Sequence, residues 1–191
     1  MSRMTTVSRH TKETRIDLTL SLEGGPVTPE TGIGFFDHML RALAVHAGLG
    51  LQVSAAGDLQ VDGHHTVEDV GIVFGQALNK ALDDRKGITR FGQARVPMDE
   101  ALADAALDLS GRPYLHWDVP ATQARVGAYD VCLSEEFWRA VCQHAGLTLH
   151  VSAYGGNAHH VTEAVFKAAA RALKTAVKIE GSEIPSTKGV L

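Results

Sequence analysis

Residues 41–53 read RALAVHAGLGLQV and residues 139–151 read RAVCQHAGLTLHV, and the pairing of these two stretches decides the fold. Arg, Ala, the run His-Ala-Gly-Leu, Leu and Val recur in order at an offset of 98. Farther along, HHTVED at 64–69 meets HHVTEA at 159–164 at an offset of 95. The three-residue difference falls in a loop, where insertions are tolerated best. Chance would give HAGL twice, but not the whole ordered series. Two copies make a duplication and not a solenoid.

Each copy carries the same local signals. Residues 15–22 (RIDLTLSL) alternate Ile16, Leu18, Leu20 and Leu22 with polar residues, the period of a half-buried strand. Glu23-Gly24-Gly25-Pro26 is a turn signal. A helix is expected from Asp37 to Ala47, stopped by Gly48, followed by a strand alternating Leu49, Leu51, Val53 and Ala55. Asp62-Gly63 opens a long helix with Val67, Val70, Phe74, Ala77, Leu78 and Ala81 on its apolar face, closed by Gly87. The second copy predicts strands around 101–109 and 113–119 and a helix N-capped by Ser134, with Glu135 and Glu136 in its first turn. A strand over 147–153 and a helix over 159–178 follow. Each half therefore reads ββαβα, an α+β fold. The expected division is 1–92 for the first half, 93–180 for the second and 181–191 for a polar tail, in one compact pseudo-two-fold unit.

Composition narrows the function classes. The chain has 191 residues, 45% of them hydrophobic and 21% charged, the balance of an ordinary globular protein that needs no disulfide staples. With 18 basic residues against 22 acidic ones and a pI near 6.2, a generally basic nucleic-acid binder is excluded. Cys132 and Cys142 lack metal or redox spacing and fit a reducing compartment. No apolar stretch approaches the ~20 residues of a membrane span, and the N-terminus lacks a signal-peptide apolar region, so a cytoplasmic setting is expected. Ten histidines stand out, four of them in two adjacent pairs.

His-His-x-x-Glu occurs at 64–68 and at 159–163, each near the start of a predicted helix. Four residues apart on a helix, His64 neighbours Glu68 and His159 neighbours Glu163. Adjacent histidines point about 100° apart, so one pair is badly placed to chelate a single ion. Two ions suit the pattern, with the histidines of each motif serving different ones. Imidazole plus carboxylate fits manganese, iron or zinc. A single motif would read as polar residues at a helix start; two copies at matched places favour metal. His38 joins them, its counterpart at offset 98 being Glu136. His46 and His144, late in their helices, read as structural. Arg90, Arg112 and the tail PSTKG (Ser186, Thr187 and Lys188) are weak phosphate signals by spacing alone, and Lys167 reads as an i,i+4 partner of Glu163. A di-metal hydrolase and a non-catalytic metal-binding shell remain open on these residues.

The motifs GFFDHML (34–40), DGHHTVED (62–69), RKGITRFG (85–92), DLSGRPYL (108–115), GNAHHVTEAVFKAAARAL (156–173) and PSTKGVL (185–191) together resemble the imidazoleglycerol-phosphate dehydratase family. The resemblance runs over nearly the whole chain. It implies helices packed between two four-stranded sheets and a homo-oligomeric shell of twenty-four subunits. It also implies a phosphorylated imidazole substrate and two Mn2+ ions per active site. Carried over by position, it makes His38, His64, His65, Glu68, Glu136, His159, His160 and Glu163 metal ligands, Glu136 standing where many members carry histidine. Arg90, Arg112, Lys167, Ser186, Thr187 and Lys188 fall to the substrate, chiefly its phosphate, and Glu13 to its polar end. The implied reaction removes water from imidazole glycerol phosphate to give imidazole acetol phosphate. The proton to be lost is not beside a carbonyl. The ring must therefore first expel the adjacent hydroxyl as an imidazolate, giving a diazafulvene whose C–H is acidic enough for Glu163 or Glu68 to take.

Overall fold

The computed structural model describes residues 3–120 and 125–191. Ile16, Leu18 and Leu20 all point inward from strand β2 (Thr14–Ser21), as their alternation requires. This strand pairs antiparallel with β1 (Met4–His10) and β4 (Gly50–Gly57), and β3 (Val27–Glu30) lies parallel beside β4, in the order β1-β2-β4-β3. The second half repeats the pattern. Strands β5 (Phe91–Met98), β6 (Ala101–Asp108), β10 (Thr148–Tyr154) and β7 (Tyr114–Asp118) stand in the order β5-β6-β10-β7. A small hairpin, β8 (Arg125–Val126) and β9 (Tyr129–Asp130), precedes the third helix.

Four helices fill the space between the sheets: α1 (Gly34–Ala47), α2 (His64–Leu82), α3 (Leu133–Ala145) and α4 (Ala158–Ala176). Helix α2 packs on β1 and β2 and against α3, while α4 packs on β5 and β6 and against α1. Phe36, Phe74, Phe137 and Phe166, one from each helix, are fully buried in this shared core. Burying such a side chain contributes roughly 1.5–3 kcal/mol. Helix α4 presses so closely on β5 that a β-carbon on Gly92 would lie 1.9 Å from the Ala172 carbonyl oxygen. Among the described residues no helix is long and apolar enough to cross a membrane.

The α+β duplication and the two four-stranded sheets stand as expected, and the structure supplies the strands needed to reach four in each. An extra strand precedes the first helix of each half. Strands β1 and β5 are edge strands whose inward positions are held by residues such as Val7, Gly92 and Ala94, so no strong apolar alternation marks them. Strand β5 runs across the expected 92/93 boundary.

Helix ends also move. Helix α1 starts at Gly34, ahead of Asp37, whose carboxylate instead accepts the Thr31 N–H (2.8 Å) and hydroxyl (2.6 Å). Helix α2 stops at Leu82, ahead of Gly87, because Asp83 (φ 51°) and Arg85 (φ 58°) leave the helical region. Gly87 turns the chain against the tail, its N–H donating to the Glu183 carbonyl at 2.9 Å. Ser134 lies inside α3 and does not cap it: the N-cap is Cys132, and the Ser134 hydroxyl bonds the buried Tyr129 hydroxyl at 3.0 Å. Gly48 (φ 72°) and Gly146 (φ 63°) end α1 and α3 in the left-handed conformation their sequence positions call for.

Candidate active site

Helices α1 and α4 lie against each other and bring three donors together. His159 and Glu163, four residues apart, share a face at the start of α4, and His38 faces them from α1. His38 Nε2 and His159 Nε2 each lie 3.1 Å from Glu163 Oε2, and the three donor atoms fall within 4.8 Å of one another. Lys167, one turn on, holds the other Glu163 oxygen at 2.6 Å. Burial alone would raise the Glu163 pKa, but Lys167 and His38 outweigh it and hold the carboxyl at about 2. Asn157 caps the helix, accepting the N–H groups of His159 (2.9 Å) and His160 (3.4 Å).

The internal two-fold maps α1 onto α3 and α4 onto α2, so the counterpart trio is Glu136, His64 and Glu68. Here the donors stand farther apart. His64 Nε2 is 3.7 Å from Glu68 Oε2, while Glu136 turns to Arg139 of its own helix at 3.6 Å. Arg139 gives Glu136 a counter-charge on its own helix. The position matching Lys167 at offset 95 is Ile72, so the first half has no lysine there.

Neighbouring imidazoles do diverge, with ring planes at 85° for His64 and His65 and 80° for His159 and His160. The second histidine of each pair is held by a carboxylate absent from the sequence reading. His65 Nδ1 lies 3.0 and 3.2 Å from the Asp58 oxygens, with Glu13 farther off at 3.9 Å. His160 Nδ1 donates to Glu100 Oε2 at 2.8 Å, and Asp99 stands 3.8 Å from its other nitrogen. Asp58 and Glu100 raise the pKa of their histidines, and the His160 hydrogen bond draws Glu100 down to about 2. Glu13 itself sits in the β1–β2 turn. Buried Asp69 pins this turn to α2 by accepting from the Thr14 hydroxyl and from Arg9 (2.9 Å).

Five of the expected substrate residues lie elsewhere. Arg90, held at φ 73°, donates two bonds to Asp108 (2.7 and 3.1 Å) and one to the Pro185 carbonyl (2.7 Å). Arg112 reaches the same Asp108 at 3.7 Å. Ser186 bends the tail beside them, its side-chain oxygen accepting the Lys188 N–H at 3.2 Å, and Thr187 is exposed between the two. This basic cluster stands where β5 begins, whereas Asp99, Glu100 and His160 stand where β5 ends. At ~3.4 Å per residue, the eight residues of β5 set the two clusters about 25 Å apart. Helix α4 gives the same span: its start holds His159, and the Ala176 carbonyl at its end accepts the Arg90 N–H.

Comparison with known proteins agrees with this architecture. A sequence model of the family Imidazoleglycerol-phosphate dehydratase matches residues 31–173. The imidazoleglycerol-phosphate dehydratase of Granulibacter bethesdensis is 57% identical over 196 aligned positions, covering 100% of both chains. That of Methanosarcina mazei is 53% identical over 99% of this chain and 100% of its own. Among solved structures, the Staphylococcus aureus enzyme superposes with a TM-score of 0.85 at 41% identity, over 92% of this chain and 99% of that one. The Pyrococcus furiosus enzyme, in complex with the compound (S)-C348, gives 0.83 at 37%, over 97% and 100%. Full-length likeness in sequence and fold places the chain in the imidazoleglycerol-phosphate dehydratase family, the hydro-lyases of histidine biosynthesis.

Proposed function

We propose that this chain converts D-erythro-imidazole-glycerol phosphate to imidazole acetol phosphate and water, using two Mn2+ ions per site. The observation that carries this reading is the convergence of His38, His159 and Glu163 in a chain of this family. The donor set fits such ions: imidazoles and carboxylates on two packed helix pairs, with the rings of adjacent histidines steeply inclined to each other. His38, His159 and Glu163 would form one ligand group and His64, Glu68 and Glu136 the other, with His65 and His160 completing them. Bound there, the ions supply Lewis acidity to the substrate's imidazole and hold its ring in place.

The rest falls to side chains. Arg90, Arg112, Ser186, Thr187 and Lys188 grip the phosphate, and Glu13 meets the polar end of the substrate. Hydroxide leaves from the carbon beside the ring, a carboxylate takes the proton from the next carbon, and the resulting enol passes to the ketone. Of the two candidate bases, Glu68 suits that step better. Glu163 has both oxygens engaged, one by Lys167 and the other by His38 and His159, whereas Glu68 stands half exposed beside His64. Lys167 then serves to fix Glu163 and not to carry a proton.

A substrate of this size, roughly 10 Å long, cannot reach across the ~25 Å between the two clusters of one chain. That separation supports active sites built between subunits, with the phosphate grip of one copy facing the histidines of another, in a shell of twenty-four copies. A diffusible phosphorylated substrate suits a cytoplasmic enzyme. The test is direct. Chelator-treated protein, supplied with imidazole glycerol phosphate, should form the ketone only after manganese is restored. Ketone formation at full rate without metal would remove the metal from the reaction, and none with manganese present would defeat the dehydratase reading.

A further inference from the structure

The two hairpin turns β1–β2 and β5–β6 correspond at an offset of 87, which pairs Glu13 with Glu100. Their side chains do different things. Glu100 bridges two parts of the start of α4: Oε1 accepts the Asn157 N–H at 2.9 Å and Oε2 accepts from His160 Nδ1 at 2.8 Å. In the first half the loop after β4 provides Asp58, 16% exposed, against His65 Nδ1, and Glu13 is left 59% exposed. The loop after β10 has Gly155 and Gly156 where Asp58 stands, so the second half has no carboxylate to offer from that side. Each half thus holds its second histidine through Nδ1 with one carboxylate, taken from a different loop.

We infer that Asp58 and Glu100 are equivalent positioning residues, fixing His65 and His160 so that each presents Nε2 to a different metal ion, and that Asp58, by holding His65, leaves Glu13 free for the substrate. This rests on the two-ion reading proposed above. A histidine ligand held at its other nitrogen by a carboxylate is fixed in tautomer and orientation, and loss of such a partner typically weakens metal affinity 10–100-fold.

The test titrates full-length, metal-stripped protein with Mn2+ and follows the free ion by its paramagnetic resonance signal, a readout independent of turnover. Wild-type protein should show two tight sites per chain. Asp58→Ala and Glu100→Ala should each leave one tight site and weaken the other 10–100-fold, and the double variant should weaken both. Asp58→Asn and Glu100→Gln, whose amide oxygens still accept from Nδ1, should recover part of the loss. Glu13→Ala should keep both sites tight while its turnover falls. Circular dichroism melts separate these effects from loss of fold. Full affinity at both sites in either alanine variant would overturn the inference. So would equal weakening of both sites by each single variant, since that points to the fold and not to one histidine. Wild-type protein that binds fewer than two ions would instead defeat the two-ion reading itself.

Discussion

Glu68 and Glu163 are the same residue of the repeat in two electrostatic settings, and the roles proposed for them follow that difference. Glu163 is buried among His38, His159 and Lys167; Glu68 is half exposed beside His64. Glu68→Gln should lower kcat by roughly 10²–10⁴ even at saturating manganese, the usual contribution of a positioned proton acceptor, its amide oxygen remaining as a weaker ligand. Glu163→Gln should loosen the metal first; full turnover with metal bound would take Glu163 out of the site. At the other end, Asp108→Asn frees Arg90 and Arg112 from a shared carboxylate. It should raise KM for the phosphorylated substrate by about 5- to 100-fold, as expected for losing charged hydrogen bonds. Binding of an unphosphorylated imidazole diol should change little.

The metal-stripped protein also has a pH signature. The raised pKa values of His65 and His160 give stability that is complete below about 6.5 and is lost as pH rises through the folded values. The depressed Glu163 gives stability present above 4.5 and lost as pH falls toward about 2. Thermal melts of the stripped protein should therefore peak between these limits, and a melting temperature that climbs steadily to pH 9 would contradict the histidine–carboxylate pairs. The HHxxE motifs were legible because the repeat wrote them twice on helices of known period. Asp58, Glu100 and Asp108 were not, because a loop carboxylate gains meaning only when folding brings its partner to it.

At the scale of elements, the inner strands, the outer strand β7 and all four helices were legible in the sequence, while the outer strands β1, β3 and β5 were not. Strand β1 buries Val7 but leaves most of its positions exposed or half-exposed, and β3 is four residues long and contains Pro29, a residue that edge strands tolerate. Such strands are defined by the neighbour they bond to and not by their own pattern. The tight contact of α4 on β5 gives a prediction of its own. Gly92→Ala should cost about 1–3 kcal/mol through overpacking, because backbone and not a flexible side chain stands in the way. At this chain length that is a fall of ~2–4 °C in Tm per kcal/mol, read by calorimetry. An unchanged Tm would mean that α4 can slide on the sheet.

For the whole molecule, the ~25 Å between the proposed phosphate grip and the histidines bears on assembly. If one site draws on two copies, Arg90→Ala and Glu68→Gln proteins, each nearly inactive, should complement after being dissociated and reassembled together. About a quarter of the sites in an equal mixture would then carry both intact residues, because a symmetric assembly pairs the variants at random. Activity no greater than the sum of the two parents would place each site within one chain.

The unequal halves carry one more consequence, in the hardness of the two ligand groups. His38, His159 and Glu163 offer two imidazoles and one carboxylate, whose charge Lys167 already offsets; His64, Glu68 and Glu136 offer one imidazole and two carboxylates, with Ile72 where that lysine would be. Both groups would take Mn2+ as proposed, the second with the harder and more anionic donor set. The two copies of one motif thus differ in donor charge, and under the proposed function the two Mn2+ sites of a chain should differ in affinity.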